Sequence, residues 1–308
     1  MAGRLESTSA PLLLPHLSLR KTYTLQAGER QLDLSSPVCM GILNITPDSF
    51  SDGAELASAD GTSFRSDPEK VRQRAQVMVA AGAQILDVGG ESTRPGAAAV
   101  ALDEELARTV PVIELLRAEF DVLLSIDTSS PEVMRAAIAA GADLVNDIRA
   151  LSNEGALAVA AEGINPPAVC LMHMQGQPRT MQQTYSYDDV VGEVVAFLRR
   201  RVADCEAAGI ERNRIMIDPG FGFGKSAAHN YALLKHLPGL QQLDLPILVG
   251  ISRKSMIGAV TGRPVDQRLA GSIAATALAL QAGAHVVRTH DVEATVDAIR
   301  IYLACAEA

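Results

Sequence analysis

The sequence predicts an α/β chain folded as a single (β/α)8 TIM barrel, with an N-terminal hairpin capping the barrel bottom. Three features predict it. Eight short apolar runs recur along the chain, each run closes on polar residues, and stretches with helix-boundary signals lie between them. The runs are VCMGILN, AQILDVGGE, VLLSIDTS, ADLVNDI, AVCLMHM, RIMIDPG, PILVGISRK and HVVRTHD. Their near-continuous apolar character fits parallel strands buried on both faces by covering helices. An open, doubly wound sheet has the same alternation of elements and is the alternative architecture.

Taken in order, residues 1–16 read as a poorly ordered tail, and the domain is expected over 17–308. The segment PLLLPHLSL is short, broken by Pro and His, and lacks the basic lead and small-residue cleavage site of a signal peptide. KTYTLQAGERQLDLS alternates around Gly28, as a hairpin does. The first barrel strand then breaks at Asn44 and Pro47, and Phe50 is left in a stretch of Ser, Asp and Gly. Those residues fit a surface turn or a ligand-binding loop. DPEKVRQRAQVMVAAGA opens with Asp-Pro and closes near Gly82, and SSPEVMRAAIAAGA opens with Ser-Ser-Pro and closes near Gly141. Both patterns are helix start and stop signals. SYDDVVGEVVAFLRRRVADCEAAG ends the same way, and the late helix QRLAGSIAATALALQAGA is apolar enough to pack on the barrel or on another copy of the chain. No linker divides the chain into two domains.

Composition narrows the function. Apolar residues make up 48% of the chain while aromatics make up 4% and Trp is absent, so aliphatic residues and Ala must fill the core. A net charge of −9 argues against a nucleic-acid partner, which needs a basic face, though anionic small molecules can still be bound locally. No apolar stretch is long enough to span a bilayer. The four cysteines form no CxxC pair, and Cys39 and Cys170 sit inside apolar runs as buried thiols do; a reducing cytoplasm fits this usage.

The strand ends carry Asn44, Asp87, Asp127, Asn146 with Asp147, His173, Asp218, Arg253 with Lys254, and Arg288 with His290. A lone Asp after a strand is usually a helix cap, but in this fold ligands bind at the C-terminal strand ends, and a polar residue at every end would form one polar mouth. Converging Asp and Asn side chains suit a flat heterocycle with paired donors and acceptors. Arg288 and His290, two apart, point to one side and could grip a phosphate or diphosphate; pairing of Arg288 with a carboxylate is the alternative. DPGFGFGKS looks like a phosphate loop but has Pro219 where GxxxxGK[ST] needs its first Gly. It reads as a glycine-rich loop with Phe221 or Phe223 as a stacking wall. His173, among methionines, fits a structural hydrogen bonder as well as a catalyst. His16, His229, His236 and His285 read as surface or capping residues. Neither zinc spacing nor a GxSxG elbow is present, which disfavours hydrolysis by either route.

Read together, MGILNITPDSFSDG, DVGGESTRPGA, SIDTS, VNDI, CLMHMQG, DPGFGFGK, GISRKSMIG and RTHD strongly resemble the bacterial dihydropteroate synthases, the folate-pathway targets of sulfonamides. The resemblance runs from about Cys39 to Ala298 in the family's order. It implies a pterin-binding barrel that joins 6-hydroxymethyl-7,8-dihydropterin diphosphate to p-aminobenzoate, releasing diphosphate. It further implies that Asp127, Asn146, Met172, Asp218, Phe223, Gly250 and Lys254 form the pterin site. Asn44, Thr93, Arg288, Thr289 and His290 would take the diphosphate, with Asn44 also contacting Mg2+. Phe50, Thr93, Arg94, Pro95, Lys254 and Ser255 would shape the p-aminobenzoate site. Asp127, Lys254, Arg288 and His290 would carry the chemistry, in a cytoplasmic homodimer. Two departures stand out: the loop AELASADGTSFRS is longer than is usual in the family, and Thr289 replaces a small aliphatic residue. A pterin-binding methyltransferase module and an inactive pterin-binding paralogue are the alternatives; the first does not need the Phe50 loop, ESTRPG or the Arg288–His290 pair, and against the second no motif residue is lost.

Overall fold

The computed structural model describes residues 21–46, 66–91, 100–176, 181 and 185–307. The expected tail, residues 1–16, and the site candidates Phe50, Thr93, Arg94 and Pro95 lie outside the described residues. The first element among the described residues is the expected hairpin, β1 (Thr24–Ala27) paired antiparallel with β2 (Arg30–Asp33).

Eight parallel strands follow: β3 (Val38–Asn44), β4 (Ile85–Gly89), β5 (Leu123–Asp127), β6 (Leu144–Asp147), β7 (Ala168–Met172), β8 (Ile215–Asp218), β9 (Leu248–Val249) and β10 (Val286–Thr289). They run β8-β7-β6-β5-β4-β3-β10-β9 around the sheet. A parallel bridge from Ile217 to Ile247, just before β9, joins the two ends, with the Ile217 N–H donating to Pro246 O at 3.0 Å. The sheet is therefore a ring closed at a narrow seam, and not an open doubly wound sheet.

The helices begin where the sequence signals place them. In α1 (Pro68–Ala80) the Asp67 carboxylate accepts from Glu69 N and Lys70 N, and Pro68 needs no partner at the first turn. In α3 (Pro131–Ala139) Ser130 caps Val133 N in the same way. Between them lies α2 (Leu102–Glu119). The chain continues with α4 (Ala156–Ala161), α5 (Val190–Ala207), α6 (Ala227–Lys235), α7 (Ser255–Thr261), α8 (Leu269–Gln281) and α9 (Val292–Glu307). His229 completes a capping box with Ser226 at α6, and His236 is the C-cap of that helix. His285 departs from expectation: it is buried, its Nδ1 accepting from Ile247 N at 3.1 Å, and so braces the barrel seam. Among the described residues no helix is long and apolar enough to cross a membrane.

Side chains alternate along each strand with a period of two, and this sorts the core into two clusters. Cys39, Leu86, Leu124, Val145, Val169 and Ile217 point outward to the helices. Met40, Ile85, Leu123, Leu144, Cys170, Met216, Leu248 and Val286 point inward, and Leu25, Ala27 and Leu34 of the hairpin segment pack beneath them. Cys39, Cys170 and Cys205 are buried free thiols. Because the hairpin supplies buried aliphatic surface far from the strand ends, Leu25→Ala is expected to cost about 2–4 kcal/mol in urea unfolding. Ligand affinity at the mouth should stay within about two-fold, the size expected for a distant, independent site; a matching loss of affinity would deny the hairpin its purely structural role.

Candidate active site

The same parity positions the site. Moving two residues along from the apolar plug, Ile85 leads to Asp87, Leu123 to Ser125 and then Asp127, and Leu144 to Asn146. Cys170 leads to Met172, Met216 to Asp218, Leu248 to Gly250, and Val286 to Arg288 and then His290. These inward positions form one layer across the C-terminal half of the barrel, where barrel enzymes hold their ligands.

At its centre the Arg288 guanidinium donates from Nε to Asp87 Oδ2 at 2.6 Å and from Nη2 to Asp127 Oδ2 at 2.7 Å. Asp87 is fully buried and also accepts from Ser125 Oγ at 2.5 Å and Asn146 Nδ2 at 3.2 Å. Asp87 is among the strand-end residues that the sequence marks, whereas Ser125 is not; inward parity is the signal that brings Ser125 to the same layer. Burial works against the charge on Arg288, but Asp87 and Asp127 outweigh it and hold the guanidinium protonated. Burial pushes the Asp127 carboxyl up to about 7, with Arg288 opposing and Asp87, Asp147 and Glu105 adding to the rise.

Across the barrel, Asp218 Oδ1 accepts from Gly220 N at 2.7 Å, and burial raises this carboxyl too, against the pull of Lys254. Lys254 Nζ donates to Phe221 O and lies 4.6 Å from the centre of the Phe223 ring. Burial lowers this ammonium to about 8 while Asp218 draws it upward. Phe221 itself is fully buried in the outer core, so Phe223 is the aromatic that faces the site. Gly250 leaves room beside Lys254 and Arg288: a Cβ there would come 3.8 Å from Lys254 Nζ and 3.9 Å from Arg288 Cβ. Ser255 is exposed at the first position of α7. Asn44 ends β3 with its Oδ1 near Gly89, where an added Cβ would lie 3.5 Å from that oxygen and 3.9 Å from Asp127 Oδ2. His290 Nδ1 pairs with Ser252 Oγ at 3.1 Å, so it and Arg288 have separate partners.

Four strand-end residues lie off this layer. Asp147 is buried on the outer side, accepting from Ser129 Oγ, Arg149 N and Leu151 N. His173 packs against Phe197 of α5, and Arg253 pairs with Asp291. Thr289 is buried with its Oγ1 accepting from Asp291 N at 3.1 Å and from Thr295 Oγ1 at 3.0 Å. The polar mouth thus includes fewer strand ends than the inventory counted, because adjacent residues such as Asn146 and Asp147 face opposite ways.

Comparison with known proteins agrees with this geometry. The family profile described as "Pterin binding enzyme" matches residues 40–290. The dihydropteroate synthase of Escherichia coli K12 is 51% identical over 270 residues, 88% of this chain and 92% of that one. The Yersinia pestis dihydropteroate synthase, solved in complex with a sulfonamide drug, superposes with a TM-score of 0.86 at 49% identity, covering 92% of this chain and 100% of that one. The Xanthomonas albilineans dihydropteroate synthase, solved with 4-aminobenzoic acid, gives 0.83 at 48% identity, covering 94% and 100%.

The raised Asp127 carboxyl has a stability consequence. Between about pH 4 and about 7 the folded protein keeps a proton that the unfolded chain has released, so this group makes stability fall as pH rises. Asp127→Asn, which cannot ionise, is therefore expected to gain thermal stability over the unsubstituted protein as pH climbs through that window. A melting difference that is flat with pH would contradict the assignment. The inward layer of pterin-type donors and acceptors, the profile match and the level of identity together place the chain in the pterin binding enzyme family, among its dihydropteroate synthases.

Proposed function

We propose that the chain condenses 6-hydroxymethyl-7,8-dihydropterin diphosphate with p-aminobenzoate, giving 7,8-dihydropteroate and diphosphate, by a dissociative substitution that Mg2+ assists. The observation that carries this reading is the Asp127–Arg288–Asp87 cluster in the inward layer. It offers a carboxylate to a heterocycle and a cation to a leaving anion side by side. The sulfonamide and 4-aminobenzoic acid bound by the Yersinia and Xanthomonas relatives support the arylamine half of the reaction and sulfonamides as inhibitors.

In this reading Asp127, Asn146 and Asp218 take the pterin ring nitrogens and its exocyclic amine, with Met172 and Phe223 as the walls. Among the described residues Asp87 has three partners already, whereas Asp127 accepts only from Arg288. Pterin binding therefore draws Asp127 away from Arg288 and frees part of the guanidinium for diphosphate, alongside His290. As diphosphate leaves, positive charge grows on the pterin methylene, and Asp127 stabilises it while Arg288 stabilises the leaving group. The arylamine attacks from the open side and loses its proton to solvent, with no covalent enzyme intermediate.

The residues present fit a Mg2+ ion. Among the described residues no group of three His, Cys, Asp or Glu gathers for a metal, so the protein would offer one neutral donor, the Asn44 amide oxygen, beside the space that Gly89 leaves open. That suits an ion that keeps its waters and binds chiefly through substrate phosphates. When bound, it supplies charge neutralisation to the departing diphosphate.

The chain is proposed to work in the cytoplasm, where buried free thiols at Cys39, Cys170 and Cys205 stay reduced. It is proposed to pair as a homodimer through α7 to α9, where Val260, Leu269, Leu278 and Ile301 are exposed. Leu278→Asp should then sediment as a monomer; an unchanged dimer would move the interface elsewhere.

The direct assay is p-aminobenzoate-dependent release of diphosphate. Asp127→Asn is expected to lower kcat by about two to three orders of magnitude with the fold intact. EDTA should suppress turnover at least about ten-fold, with recovery on added Mg2+. Pterin binding without turnover in the unsubstituted protein would instead favour a binding paralogue.

A further inference from the structure

The resemblance places Lys254 in the pterin site, but it gives no role to a second, more deeply buried lysine. Lys225, at the end of the glycine-rich loop, is 3% exposed. Its ammonium reaches four acceptors, none of them a carboxylate: His173 Nδ1 at 2.9 Å, His173 O at 3.2 Å, Gly220 O at 2.9 Å and Phe223 O at 3.0 Å. Burial lowers this ammonium to about 7 while Asp218 draws it upward, so its charged form depends on these four bonds. Here they tie the start and the middle of the loop to the strand-end residue of β7.

His173 is built to receive it. With Nδ1 accepting from the ammonium, the ring proton sits on Nε2. Burial, with Lys225 adding to it, lowers the imidazole to about 3, so the ring is a neutral acceptor. Phe197 meets the ring edge-on at 4.9 Å, and Tyr187, 6.1 Å from it, donates its hydroxyl to Gly224 O at 2.9 Å. From the other flank Asn230 of α6 accepts from Gly222 N at 2.7 Å and donates to Lys225 O and Ser226 O. A Cβ at Gly220 would run into the His173 carbonyl, so the two loops touch backbone to backbone.

The opposite side of the same loop faces the site. Gly220 N bonds Asp218, Phe221 O receives Lys254 Nζ, and the Phe223 ring lies beside that ammonium. We propose that Lys225 and His173 are a pair of positioning residues for the pterin site: the ammonium gathers the loop carbonyls on one side so that the Phe221 carbonyl and Phe223 ring hold Lys254 on the other. Neither residue touches substrate. This rests on the reading of Asp218, Phe223 and Lys254 as pterin-binding residues.

A double-mutant cycle tests it, with affinity for 6-hydroxymethyl-7,8-dihydropterin diphosphate read by calorimetry on the full chain. Lys225→Met is expected to weaken binding about ten-fold alone but only about two-fold in a Lys254→Met background, because the loop then has no ammonium to place. His173→Asn, whose side-chain carbonyl replaces Nδ1 as acceptor, should bind within about two-fold of the unsubstituted protein, while His173→Leu should weaken binding as Lys225→Met does. Equal weakening by Lys225→Met in both backgrounds, or none in either, would overturn the proposal. If Lys225→Met does not yield folded protein, His173→Leu enters the same cycle with the same two outcomes. Absence of pterin binding by the unsubstituted protein would instead overturn the functional reading on which the pair depends.

Discussion

The constraint on which the site depends is the pairing of one partly buried guanidinium with two carboxylates, Asp87 fully buried and Asp127 nearly so. Arg288, Asp87 and Asp127 come from three different strands, and none of them could sit in the barrel interior alone. Asp87 is the anchor, because Ser125, Asn146 and Arg288 occupy its oxygens. Asp127 is the adaptable member, held among the described residues by Arg288 alone and carrying a carboxyl that burial has raised. A site built this way is rigid where it must be and incomplete where a ligand is to enter. Its ion pairs are of the kind that define geometry more than they add stability.

The rest of the barrel is arranged in layers around that cluster. Below it lies the aliphatic plug closed by the hairpin, which keeps water from the underside of the charges. Level with it lie Asn146, Met172, Asp218 and Gly250, set there by the two-residue period of their strands. Above it the glycine-rich loop is held from outside by Lys225, His173 and Asn230 and presents Phe223 and the Phe221 carbonyl to Lys254. Two lysines thus flank one loop. Asp218 favours the charged form of both, but Lys254 faces the pocket whereas Lys225 is bonded to carbonyls and a ring nitrogen.

Much of this was legible in the sequence, for identifiable physical reasons. Strands buried on both faces must read as apolar runs, and helix caps such as Asp67 and Ser130 announce themselves because N-terminal N–H groups need acceptors. The strand ends therefore mark Asn44, Asp87, Asp127, Asn146, Asp218, Lys254 and Arg288. What they leave open follows from direction and pairing. Asp147, His173 and Thr289 are also at strand ends, yet they stand one residue out of phase and serve the outer shell. Asp87 was visible as a polar residue inside a buried strand, but its role needs a partner 201 positions away. Lys225 read as part of a failed phosphate loop, since only the folded backbone reveals the carbonyls it collects. His285 gave no periodic signal at all and emerges only as the brace of the seam.

The most direct measurement of the account is a crystal structure of the protein with 6-hydroxymethyl-7,8-dihydropterin diphosphate bound. The pterin ring should lie in the inward layer, hydrogen-bonded to Asp127, Asn146 and Asp218. Arg288 should keep Asp87 while exchanging Asp127 for a diphosphate oxygen. A pterin bound outside that layer, or an Arg288 still paired with Asp127 beneath a bound ligand, would contradict it.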